Sequence, residues 1–210
     1  MFEEPKSEAA STPNMKTVGI LVFDDAEELD FVGPLEVFGT AARFGADCQI
    51  LIVAENTTPI RARNGLRIVP NCTFENAPLL SILIVPGGLG ARTHARQNQR
   101  ILQFVRTQEG LVASVCTGAL ILAEAGLLIG LVATTHHSAC DLLEQYPGVS
   151  VRRGERWIIG ERIATSAGVS AGVDLALALV ASYWGEEIAE KVAENLERNS
   201  AAWNQRGTET

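Results

Sequence analysis

The sequence predicts an α/β domain: an open, mostly parallel sheet with helices on both faces. Three observations carry this. Continuous apolar runs recur at residues 17–23, 48–54, 81–85 and 110–115, as strands buried on both faces require. Stretches of helical character alternate with these runs, which is the order of parallel crossover units. Residues able to do chemistry follow directly after several of the runs, where ligands of open parallel sheets bind.

At 210 residues and 47% hydrophobic, the chain fills one domain well and is short for two. Residues 1–14 are rich in Glu, Ser, Ala and Pro and offer little to bury, so a disordered tail is expected there. A single domain over 15–197 and a polar tail over 198–210 complete the expected organisation.

The first strand, at 17–23, runs into a cluster of carboxylates, Asp24, Asp25, Glu27, Glu28 and Asp30. Pro34 then opens a helix, a first-turn proline being well tolerated. Asp24, Asp25 and Glu27 have the character of a solvated loop. Asp30 is different, because Leu29, Phe31 and Val32 bracket it and an isolated charge among apolar groups is costly. It serves either as a site acid or as a structural cap. Residues 48–54 form the second strand. Residues 63–70, with Asn64-Gly65 and Pro70, form a hairpin or edge element.

The strand at 81–85 leads into Pro86-Gly87-Gly88-Leu89-Gly90. Glycines there bring backbone close to a ligand or aim an N–H at it. Their spacing matches neither a dinucleotide fingerprint nor a P-loop, so an oxyanion donor is the expected use. Residues 98–107 form an amphipathic helix with Ile101, Leu102 and Val105 inward.

Residues 110–126 organise the rest: an apolar strand stops at Cys116, and helix formers follow up to Gly126. A thiol at such a junction faces the amide N–H groups of the new helix, which favours the thiolate. The same strand–turn–helix arrangement carries the nucleophile of many hydrolases. Core packing is the competing role, since free cysteine is among the most buried residue types, and Cys48 and Cys72 fit it.

A strand at 131–135 delivers His136 and His137 ahead of a helix at 138–145. His136 either acts on a neighbouring thiol, caps the helix or packs in the core. Residues 149–153 and 157–159 form a hairpin around Gly154-Glu155-Arg156, and 163–166 a final short strand. An apolar helix at 169–183 and an amphipathic one at 188–196 close the domain. Asp30, Gly87-Gly88, Cys116 and His136 thus all follow strand ends, which predicts one shared crevice.

The net charge of −8 with scattered Lys and Arg argues against a nucleic-acid partner. Four cysteines without close pairing indicate neither a zinc site nor a disulfide scaffold. No leader of signal type and no apolar run of bilayer length are present, so a cytoplasmic protein without a membrane partner is expected.

The blocks Leu29-Asp30-Phe31-Val32-Gly33-Pro34-Leu35-Glu36-Val37-Phe38, Val85-Pro86-Gly87-Gly88, Ser114-Val115-Cys116-Thr117-Gly118-Ala119, Ala133-Thr134-Thr135-His136 and Thr165-Ser166-Ala167-Gly168 resemble, in order and spacing, the ThiJ/PfpI superfamily. These are relatives of the class I glutamine amidotransferases, and the resemblance covers residues 16–196. It implies a flavodoxin-like three-layer sandwich with a nucleophile elbow, usually a homodimer. By position it makes Cys116 the nucleophile and Asp30 the acid beside it, with the N–H groups of Gly88 and Thr117 as the oxyanion hole.

Protease-like members place His directly after the cysteine, whereas Thr117 follows here, and the His-x-Glu pair of glutaminases is lacking. Asp at position 30 with Cys-Thr-Gly is similar to the isonitrile hydratase branch. That likeness implies hydration of a small isonitrile to an N-substituted formamide, with Thr117 helping to position water and neither metal nor organic cofactor required. Phe31, Val32, Val169 and Ser170 are the expected pocket walls. The same blocks occur in the amidase-like domain of AraC-type regulators, which implies a ligand or redox sensor as an alternative. Glyoxalase or deglycase chemistry is a third, in which His136 carries more weight.

Overall fold

The computed structural model describes residues 15–198; of the tails expected at 1–14 and 198–210, all but Arg198 lie outside the described residues, and Arg198 is bonded to Asp174. In chain order the first half comprises β1 (Lys16–Leu21), α1 (Glu28–Arg43), β2 (Cys48–Ala54), β3 (Ile60–Arg61), β4 (Arg67–Ile68), β5 (Cys72–Thr73), β6 (Ile82–Val85), α2 (Leu89–Arg92) and α3 (Gln99–Arg106). The second half comprises β7 (Leu111–Val115), α4 (Gly118–Glu124), β8 (Val132–Ala133), α5 (Cys140–Leu143), β9 (Ser150–Val151), β10 (Trp157–Ile159), β11 (Ile163–Ser166), α6 (Ala171–Trp184) and α7 (Glu186–Asn195).

Seven strands form the main sheet in the order β10-β11-β7-β6-β1-β2-β5. All neighbours run parallel except β10 against β11. The apolar runs become its centre: Ile20, Ile82, Ile84, Ala113 and Val115 are at most 1% exposed, as strands covered on both faces demand. Helix α1 packs against α6, and α6 against α7, while α3 packs against α4. Register positions the site. Val85 pairs with Ser114 and Ser166 with Val115, so β6, β7 and β11 end level and the residues after them emerge along one edge.

Helix α1 begins at Glu28 and holds Pro34 inside it, six residues earlier than the proline suggests. The helix gives up the bond that a Pro34 N–H would make to the Asp30 carbonyl. In exchange Asp30, Pro34, Val37, Phe38 and Ala41 line up on one buried face, while Leu29 and Val32 stay exposed. Glu28 and Asp30 occupy the first turn, where the helix dipole favours negative charge.

Three pairings differ from expectation. The hairpin starts earlier, joining β3 to β4 outside the main sheet with Ile60 opposite Ile68. The sheet edge is β5, which pairs with β2; its two residues are too few to show a period. Finally, β9 and β10 do not pair with each other. Strand β9 lies parallel to β8 in a separate two-stranded sheet, whereas β10 joins β11. Partner choice there is set by contacts distant in sequence, which the glycine between the two strands does not encode.

Candidate active site

Cys116 follows β7 with φ +57°, a left-handed conformation that costs a side-chain-bearing residue about 1–3 kcal/mol. Two bonds hold it. The Cys116 N–H donates to the Ala167 carbonyl at 3.2 Å, and the buried Thr135 hydroxyl donates to the Cys116 carbonyl at 2.7 Å. The elbow is therefore clamped from β11 and from the segment after β8. Strain at a thiol-bearing turn makes it a site candidate on backbone grounds alone.

The acid arrives from the opposite side. The loop after β1 is joined to the loop after β6 through an isolated bridge between Ala26 and Gly88. The Glu27 N–H donates to the Gly87 carbonyl at 3.0 Å, and the Gly90 N–H to the Asp25 carbonyl at 3.0 Å. This seam sets the start of α1 so that Asp30, fully buried, accepts the Gly87 N–H at 3.0 Å on Oδ2. A Cβ on Gly87 would lie 2.5 Å from the Thr117 nitrogen and 2.9 Å from Asp30 Oδ2, so only glycine allows acid and elbow to meet. Gly88 adopts φ +114°, which brings its own N–H onto Thr117.

Burial, acting first and most strongly, raises the Asp30 carboxyl to about 7 against the Gly87 N–H. The Cys116 thiol is pushed up to about 12, chiefly by burial and then by the negative charge of Asp30. N–H groups of Thr117 and Val169 oppose the rise without overcoming it. The surroundings thus oppose the thiolate expected from the helix N-terminus: Cys116 is 6% exposed with a carboxyl beside it, and α4 has only seven residues. Asp30 Oδ1 takes no hydrogen bond from the described residues, and the Asp30 carboxyl and the Cys116 thiol influence each other's protonation.

The Gly88 N–H, expected to face an oxyanion, donates instead to the Thr117 hydroxyl at 2.9 Å, and that hydroxyl returns a bond to the Gly88 carbonyl at 3.2 Å. Both groups are committed to holding the two loops together. The Thr117 N–H faces the sulfur, and the donor beside it is the Val169 N–H. Val169 has φ +54°, a conformation that a β-branched residue rarely adopts and that no sequence signal announces.

A cavity of about 260 Å³ opens onto the sulfur. Gly88, Cys116, Thr117 and His136 line it, whereas Gly87 and the fully buried Asp30 are not part of its lining. Its walls are less apolar than expected: Val169 and Leu89 contribute, together with Glu27, Arg63 and Arg92. Of the other expected wall residues, Phe31 lies in the core at 2% exposure, Val32 faces away, and the Ser170 hydroxyl accepts from Arg156. His136 Nδ1 bonds the Ser138 hydroxyl at 2.8 Å and accepts the Ser138 N–H at 3.2 Å. Burial, His137 and Arg92 lower its pKa, and it lines the cavity. Among the described residues no cluster of three or more His, Cys, Asp or Glu is arranged to hold a metal ion.

The DJ-1/PfpI family pattern matches residues 16–182. The chain belongs to the DJ-1/PfpI family. It is 35% identical over 183 residues to an isonitrile hydratase of Pseudomonas putida, covering 86% of this chain and 77% of that protein. It is also 35% identical to the HTH-type transcriptional regulator CdhR of Pseudomonas aeruginosa, over 79% of this chain and 50% of the regulator. Among solved structures, a ThiJ/PfpI family protein from Pseudomonas syringae superposes with a TM-score of 0.80 at 29% identity, covering 98% of this chain and 84% of that one. Within this DJ-1/PfpI domain the strained cysteine follows β7 and the buried acid lies in the first turn of α1. No helix among the described residues is long and apolar enough to cross a membrane.

Proposed function

We propose that this DJ-1/PfpI protein hydrates a small isonitrile to the N-substituted formamide, with Cys116 as nucleophile and Asp30 as the proton carrier. The observation that supports this most is a buried carboxyl, raised to about 7, beside the Cys116 thiol. The likeness to an isonitrile hydratase points the same way. An isonitrile carbon must gain a nucleophile and a proton at the same atom, and this pair supplies both. As the Cys116 sulfur bonds to the terminal carbon, Asp30 takes the thiol proton and delivers it to that carbon, leaving an S-linked thioimidate. Water then adds to the thioimidate carbon, the C–S bond breaks, and the sulfur recovers a proton as the formamide leaves. In this scheme the N–H groups of Thr117 and Val169 carry negative charge developing at sulfur, and the Thr117 hydroxyl keeps the Gly88 loop in place.

Purified protein is expected to convert cyclohexyl isonitrile to N-cyclohexylformamide, with Cys116→Ala abolishing turnover. Absence of turnover by the wild type overturns the reading. A ligand-sensing role is the second reading, supported by the match to half of a transcriptional regulator; binding without turnover is its signature. Methylglyoxal consumption, measured in parallel, tests the glyoxalase alternative. The proposed working form is a cytoplasmic homodimer, which a mass measurement in solution checks.

A further inference from the structure

Besides the reacting pair, the cavity at Cys116 contains charge that hydration of a neutral isonitrile does not call for. Arg63 and Arg92 both line it, and neither forms an ion pair with any carboxylate among the described residues. Arg92 is held in place: its Nη2 donates to the Ser138 hydroxyl at 2.7 Å, and the same hydroxyl bonds His136 Nδ1 at 2.8 Å. Arg63 is exposed, but its backbone is fixed to the acid's loop by an N–H bond to the Ala26 carbonyl at 2.9 Å. Glu27 shares the cavity and neutralises one of the two charges at most.

A guanidinium presents a planar fork of donors that suits a carboxylate. Leu89 and Val169 supply the apolar part of the same lining. We propose that the cavity takes a carboxylate-bearing substrate, oriented by Arg92 and Arg63 with its reacting carbon on Cys116; in the hydratase reading, on which the reaction itself rests, this is an isocyano carboxylate. The volume of about 260 Å³ is below the usual range for drug-sized ligands, which confines the substrate to a few heavy atoms between carboxylate and isonitrile.

Two experiments separate the subsite from the reaction. The first uses alkylation of Cys116, read on its own peptide by mass spectrometry so that Cys48, Cys72 and Cys140 do not contribute. Iodoacetate and iodoacetamide differ in charge and little in size. The ratio of their rates at Cys116 is expected to fall about tenfold in the Arg63→Gln/Arg92→Gln protein and to be largely restored in Arg63→Lys/Arg92→Lys. An unchanged ratio in the double glutamine protein overturns the subsite. The second compares kcat/KM for isocyanoacetate with that for its neutral methyl ester, and the same double substitution is expected to lower that preference about tenfold. Turnover of isonitriles with no arginine-dependent preference for the anion overturns the subsite and leaves the hydratase reading standing. An arginine-dependent preference for iodoacetate with no turnover of any isonitrile supports the subsite and removes the hydratase reading.

Discussion

Asp30 shows how one side chain takes its role from its surroundings. Its folded pKa of about 7 lies above the ordinary 3.8, so between those values the native state binds a proton that the unfolded chain has released. The stability contributed by Asp30 is therefore fully present below about pH 4 and is lost as pH rises through 7. Asp30→Asn removes that decline. It is expected to be more stable than wild type at pH 8, by on the order of 4 kcal/mol, with the gain vanishing near pH 4 in paired urea titrations. The same substitution removes the proton carrier, so isonitrile turnover should fall by about 10²-fold or more. In the wild type, kcat/KM is expected to rise with pH through about 7, because the carboxylate form of Asp30 is the one able to accept the thiol proton.

The elbow between β7 and α4 depends on backbone strain and on one hydroxyl. Cys116→Gly and Cys116→Ala both remove the thiol, but only glycine adopts the left-handed conformation freely. The glycine protein should be the more stable of the two by about 1 kcal/mol in thermal melts. Thr117→Val leaves the Gly88 N–H without its 2.9 Å acceptor inside a packed loop, a loss of about 1–3 kcal/mol, whereas Thr117→Ser keeps the acceptor. If valine and serine proteins have equal urea midpoints, the hydroxyl is not what ties the two loops.

Across the whole molecule, Asp174 in α6 joins distant parts of the chain. It is fully buried and is paired with Arg156, from the loop before β10, and with Arg198, which follows α7 and donates through Nε at 2.8 Å and Nη2 at 2.9 Å. Arg156 also donates to the Ser170 hydroxyl at 3.3 Å, one residue from the Val169 N–H that faces the sulfur. Removing both arginines strands a buried carboxylate, and Arg156→Ala/Arg198→Ala is expected to lose about 3–5 kcal/mol in urea unfolding. The single substitutions should each lose less than half of that, since either arginine alone still pairs the charge.

What the sequence determined by itself is what local pattern encodes. Apolar runs ending in glycine or cysteine mark strands that stop at the sheet edge, and Leu29, Phe31 and Val32 around Asp30 mark a carboxyl directed inward. The family blocks tie those pieces to one crevice, and Gly88, Cys116, Thr117 and His136 do line one cavity, while Asp30 is buried outside its lining. Only the tertiary structure decided what each does there. Burial of Cys116 against Asp30 opposes the thiolate that a helix N-terminus alone favours, because desolvation and a neighbouring charge outweigh two amide N–H groups. The Gly88 N–H is diverted to a hydroxyl, and the Val169 N–H takes a place beside the sulfur through a left-handed φ that its residue type disfavours. Arg63 and Arg92 have the sequence character of ordinary surface charge. They become cavity walls because the hairpin and α2 fold over the same strand ends, an arrangement set by long-range packing.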